Sequence, residues 1–245
     1  MWEGIGRYDV LLVVVVSIHA TILAYLPSPR WKALLFSLPI PFTFSLLVLG
    51  QPIDATNVFG ILLVMGFLHG VRAMHERVRL PIVPSIAVGV LAYSFLGWML
   101  ARFVPRDEVT FWIVSLVVCA IALALERVRH GGKETFHRSS LSVWAKLPIV
   151  VAIVVALILV KNQLRGFMTM FPLVSIFTAY ETRHSLWMLC RQVPVMTLAM
   201  LAMMAVCRLT QTRLGPVDSL LLGWIAFLGI TLPLTRAMWA ASETK

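Results

Sequence analysis

The chain has 245 residues, 60% of them hydrophobic and only 13% charged, with a formal net charge of +10. An average globular domain is about 25% charged, so this composition excludes an ordinary soluble domain. Runs such as LLVVVV do not alternate, which excludes a β-barrel, and the basic residues flank apolar runs rather than forming a nucleic-acid-binding face.

In chain order, helices are expected at about 9–26, 32–50, 57–75, 81–104, 109–127, 144–161, 165–181, 186–208 and 216–239. Most are near the roughly 20 apolar residues that a membrane crossing needs. The first is preceded by Asp9 and lacks a basic leader and a small-residue cleavage site, so it is expected to be a membrane helix and not a signal peptide. The motifs PSPR, QPIDAT and LGPVD, together with Pro105 and Asp107, supply turn chemistry between helices. The expected class is an all-α polytopic membrane protein with about nine transmembrane helices. It divides into a four-helix unit (1–108), a linker helix with a basic loop (109–143) and a second four-helix unit (144–245).

The polar stretch ERVRHGGKETFHRSSLSVWAK is expected to be a cytoplasmic loop. The segments then placed inside carry Arg30, Lys32, Arg72, Arg77, Arg79, Arg127, Arg129, Lys133, Arg138, Lys146, Arg183, Arg236 and Lys245. Those outside carry Arg7, Arg102, Arg106, Lys161, Arg165, Arg208 and Arg213. The excess inside predicts an outer N-terminus and a cytoplasmic C-terminus in a cell inner membrane, with anionic lipid headgroups as partners.

The two halves share an order of punctuation. WKALLFSLPIPFTFSLL can be laid on RGFMTMFPLVSIFTAY, setting Pro39 on Pro172 and Ser45 on Thr178. A polar gap follows each, then a helix bearing arginine (Arg72, Arg208), then a proline-led helix. Four helices, one extra and four more make the second copy enter from the opposite side, giving an inverted repeat. In transporters of that form the site lies between the repeats near the midplane.

Residues 160–235, through Phe171, Pro172, Glu181, Arg183, Arg213 and Pro216, resemble the GlpM family of small four-helix bacterial inner-membrane proteins; residues 31–104 resemble it more faintly. The resemblance implies a fold unit, here fused in inverted tandem, and implies no activity.

Ionisable groups within membrane spans are costly and tend to mark cavities. Glu181 ends a short helix with Ser175 and Thr178, and Arg191 lies ten residues further on beside Gln192 and before Pro194. A carboxylate facing a guanidinium across a helical hairpin could bind a zwitterion or anion. Asp54 and Asn57 occupy the matching gap of the first half, Asp54 reading as a turn residue or helix N-cap. The candidate binding residues are therefore Glu181, Arg191, Gln192, Thr178, Ser45 and Asn57. His19 and His69 read more simply as hydrogen-bonded core residues. Cys119, Cys190 and Cys207 have no metal or disulfide spacing. No metal, cofactor, enzyme or nucleic-acid motif is present. The expected function is a secondary or flippase-like carrier for a small or amphipathic solute. The alternatives are an accessory or scaffold subunit of a larger membrane complex, or a small-ion channel. Either a homo-oligomer or a complex with other membrane subunits is compatible.

Overall fold

A computed structural model describes residues 7–127, 148 and 165–243, and among them every regular element is helical. The helices are α1 (Arg7–Tyr25), α2 (Pro29–Ser37), α3 (Ile40–Leu49), α4 (Ala55–Arg72), α5 (Ile82–Phe103) and α6 (Glu108–Glu126). A π-helical turn (Ala73–Arg77) ends α4. A 3-10 turn (Arg165–Met170) precedes α7 (Leu173–Glu181). The last helical stretch, Leu186–Glu243, changes direction at Gly215, where φ is 80° and ψ is 173°. Only glycine adopts that backbone readily. We label its arms α8 (186–214) and α9 (216–243). They fold back as a hairpin, with the Cys207 thiol bonded to the Ser219 carbonyl and Gln192 Nε2 to Thr235 Oγ1.

Among the described residues five helical stretches are long and apolar enough to cross a membrane: Pro29–Leu49, Ala55–Arg77, Ile82–Phe103, Glu108–Glu126 and Leu186–Ala240. These are fewer than the nine expected. The apolar part of α1, Val10–Tyr25, is short. The expected helix 165–181 is broken at Phe171–Pro172. The expected helix 144–161, like most of the basic loop, lies outside the described residues. The arms of the last stretch are the separate helices expected at 186–208 and 216–239, although α8 continues past Arg208 to Gly215.

Large apolar side chains cover the outer faces of these helices. Ile18 and Ile22 on α1, Leu91 and Phe95 on α5, Ile113 and Leu116 on α6, and Leu221 and Ile225 on α9 are all exposed at helical spacing. Water would not tolerate apolar faces this extensive, whereas lipid would. The pattern is that of an all-α membrane protein.

The buried centre is α4 and α8. Leu68 receives a long Cys190 Sγ contact of 3.8 Å at one end of this pair, and Ile53 meets Arg208 and Gln211 at the other, so α4 and α8 run antiparallel. Helices α2 and α3 form one broken helix, and the 3-10 turn with α7 forms another. Their breaks have the same cause. Pro39 and Pro172 sit at the N-caps of α3 and α7 with nearly equal backbone angles (φ −78°, ψ 32° and φ −75°, ψ 41°), where a proline cannot continue the preceding ladder. Pro29 and Lys32 lie beside Glu181 and Ser185, while Leu38 and Phe42 lie beside Phe171 and Val174. The two broken helices therefore run in opposite directions and pass each other at their prolines.

Candidate functional site

The breaks face one another across a central cleft of about 60 Å³. Phe36, Leu38, Phe42, Val64, Phe171, Met196 and Met200 make most of its wall, and Ser37, Thr169 and Ser175 add hydroxyls. Two of these hydroxyls are committed. Ser37 donates to the Leu34 carbonyl at 2.6 Å, and Thr169 donates to the Gly166 carbonyl at 2.6 Å while accepting from Asn57 Nδ2 at 2.9 Å. Ser175 is 4% exposed, and among the described residues no hydrogen bond reaches its hydroxyl, the side-chain bonds of this stretch being those of Thr169 and Thr178. Among the described residues no carboxylate, lysine or arginine lines the cleft.

Polar clusters lie at both ends of α8. At one end Arg208 grips Glu108 through Nε (2.9 Å) and Nη2 (2.7 Å) and the Ile53 carbonyl through Nη1 (2.7 Å). Arg106 stands 3.4 Å from Asp54, and Gln211 accepts from the Ile53 amide. Asp107 caps α6 there. The Thr110 amide and hydroxyl both donate to its carboxylate and hold its pKa below the ordinary aspartate value. At the other end Lys32, 1% exposed, shares a narrow space with Glu181, Thr182, His184 and Ser185. Arg191 donates to the Met238 carbonyl at 2.7 Å beside Arg30 and Trp239. Arg208 lies seventeen positions after Arg191 along the helix, about 25 Å at 1.5 Å per residue and close to the thickness of a hydrocarbon core.

The expected site residues do not form one group. Glu181 and Arg191 lie at the same end but in separate spaces, so the carboxylate–guanidinium site across the hairpin is not assembled. Gln192 is fully buried and ties α8 to α9 through Thr235. Thr178 bonds back to the Val174 carbonyl at 2.7 Å, as hydroxyls in helices commonly do. Ser45 is buried in α3, away from the cleft lining.

Asn57 does reach the other half, but as a brace. Its Oδ1 accepts from the Asp54 amide at 2.8 Å, completing the N-terminal box of α4, and its Nδ2 meets Thr169. Asp54 is the expected N-cap. His19 meets the Leu35 carbonyl and His69 the Met65 carbonyl, as expected of core histidines.

Sequence reading passed over Lys32, Thr169 and the Arg208–Glu108 pair as site features, and noted Ser175 only as a neighbour of Glu181. For Lys32 and Ser175 a signal was present. Lys32 and Phe36 are one helical turn apart, and Ser175 lies three residues after the breaking proline. The Arg208–Glu108 pair joins residues 100 apart and has no local sign. Among the described residues no three His, Cys, Asp or Glu side chains gather as metal ligands. Compared with protein-family models, with curated proteins and with solved structures, the chain matches none.

Proposed function

We propose that the protein is a membrane carrier for a small solute, built from two GlpM-like four-helix units that enter the membrane from opposite sides. The observation that carries this reading is the antiparallel passage of two proline-broken helices across one central cleft, with a polar cluster at each end. Irregular backbone at membrane depth is tolerated only where protein buries it or a cavity lies beside it. Opposed halves can exchange roles, one end loosening while the other holds. The Arg208–Glu108–Ile53 cluster then closes the outer end and the Lys32–Glu181 and Arg191–Met238 clusters close the cytoplasmic end, in keeping with the excess of basic residues placed inside.

The test is side-specific accessibility. Ser175→Cys is introduced after Cys119, Cys190 and Cys207 are replaced, and a membrane-impermeant thiol reagent is applied to intact cells and to inverted vesicles. A carrier gives modification from both faces. Arg208→Ala raises the rate from the outer face and lowers it from the inner one. A scaffold subunit gives modification from neither face, and that result sinks the carrier. A channel gives modification from both faces with no such reciprocity.

A further inference from the structure

We infer that the central cleft binds a single small monovalent inorganic anion, held by the first-turn N–H groups of α3 and α7 and by the Ser175 hydroxyl. This deepens the carrier reading and rests on it for the direction of travel, but not for the binding itself.

The donors come from a shared feature of the two breaks. A helix begins with N–H groups that have no intrahelical acceptor. Serine, threonine, aspartate or asparagine at the N-cap ordinarily satisfies one of them. Both α3, ten residues long, and α7, nine residues long, have proline there and make no side-chain cap. The amides of Ile40 and Phe42 in α3 and of Val174 and Ser175 in α7 find no acceptor among the described residues. Phe42, Val174 and Ser175 line the cleft. Each helix N-terminus also carries about half a positive charge from the aligned peptide dipoles. Two such ends on one apolar-walled space reinforce each other more strongly than they would in water.

An independent observation points to the same ligand. Ser175 is almost fully buried, borders the cleft and leaves its hydroxyl without a partner among the described residues. Buried helical hydroxyls commonly bond to the carbonyl one turn back, as Ser37 and Thr178 do here, although Ser17, Thr197 and Thr231 are buried without a partner too; Ser175 differs from these in bordering the cleft.

Size and charge narrow the class. A cleft of about 60 Å³ has room for a few water molecules, enough for a small ion with part of its hydration. Among the described residues the wall has no carboxylate, which disfavours a cation, and no lysine or arginine, which disfavours a multiply charged anion whose desolvation dipoles alone would not offset. Weak retention by dipoles suits an ion that must leave again.

The test uses the purified full chain in detergent, in a halide-free gluconate buffer, titrated calorimetrically with sodium bromide; radiolabelled chloride exchange is measured in proteoliposomes. Wild-type protein is expected to take up one bromide. Ser175→Ala removes one of several donors and should weaken binding about three- to tenfold. Pro172→Ser supplies the missing cap, keeps the helix start and should weaken binding further by competing for the same amides. Ser115→Ala, whose hydroxyl is bonded to the Phe111 carbonyl on α6, should leave binding unchanged. Monodisperse elution and the helical circular-dichroism signal verify folding of each variant.

Absence of bromide binding to folded wild-type protein, or binding insensitive to both cleft variants, overturns the inference. Two-sided labelling at position 175 would in that case leave the carrier reading standing with another cargo. Bromide binding that responds to the variants, with no chloride exchange and no two-sided labelling, upholds the anion site and removes the carrier.

Discussion

At the scale of single residues, Asp54 and Asn57 show how a four-residue signal ties distant parts of the chain together. Asp54 accepts from the Thr56 amide, and Asn57 returns a bond to the Asp54 amide. That much is legible from the sequence, because Asp-Ala-Thr-Asn ahead of an apolar run is a helix start. The other bond of Asn57, to Thr169 across 112 positions, is not legible, since nothing local in either segment announces the other. The distinction predicts different costs. Asp54→Asn keeps an acceptor at the N-cap and should be nearly neutral. Asn57→Ala leaves the buried Asp54 amide without its acceptor and removes the bond to Thr169, which keeps only the Gly166 carbonyl, and should lower stability by about 2 kcal/mol. Thermal unfolding in detergent measures both, and equal effects would contradict the bracing role. Lys32 gives the opposite case. By composition it is one more interfacial lysine, and only the fold shows it almost fully buried beside the Glu181 turn.

At the scale of elements, the prolines were the best guide and helix length the poorest. Pro39 and Pro172 each break a span, with the same kind of backbone turn at each. The segment 165–181 nevertheless reads as one short helix. Its first part tightens to a 3-10 turn because the chain there is pressed onto α4, and that closeness depends on Gly166. A Cβ built at Gly166 would collide with the Thr56 hydroxyl and lie 3.0 Å from the Asn57 amide, with backbone that cannot move aside. A Cβ at Gly66 meets nothing within 4 Å. Gly166→Ala should therefore cost about 3 kcal/mol or prevent a monodisperse fold, whereas Gly66→Ala should be neutral or slightly stabilising. Comparing melting in detergent for the two variants checks this, and a tolerant Gly166→Ala would mean that the 3-10 turn does not sit on α4 as described. Tyr93 adds a second tether, its hydroxyl donating to the Phe167 carbonyl at 2.8 Å, so the turn is held from α4 and α5 together.

At the scale of the whole molecule, the decisive quantity is direction. The loop after α3 and the loop after α7 follow equivalent proline-broken helices, and each leads into a central helix, α4 or α8. If the broken helices run in opposite senses through a membrane, these two loops emerge on opposite faces. Contacts already separate them. The loop before α4 meets Arg106, Arg208 and Gln211, while the loop before α8 meets Pro27, Pro29 and Lys32. The positive-inside bias gives that separation an expected sense, with Gln51 outside and His184 in the cytoplasm. Both residues are exposed, so each accepts a cysteine without disturbing packing. With the three native cysteines replaced, Gln51→Cys should react with an impermeant thiol reagent on intact cells, and His184→Cys should react only after the inner face is opened. Reaction of both from one face would mean that the halves are parallel and would remove the physical basis for alternating access. Opposite faces with the reverse sense would leave the opposed halves intact and overturn only the orientation. The two faces can be told apart because the clusters of Arg208 and Arg191, near the two loops, lie about 25 Å apart along a single helix, too far for one loop to reach the other side without unfolding α8.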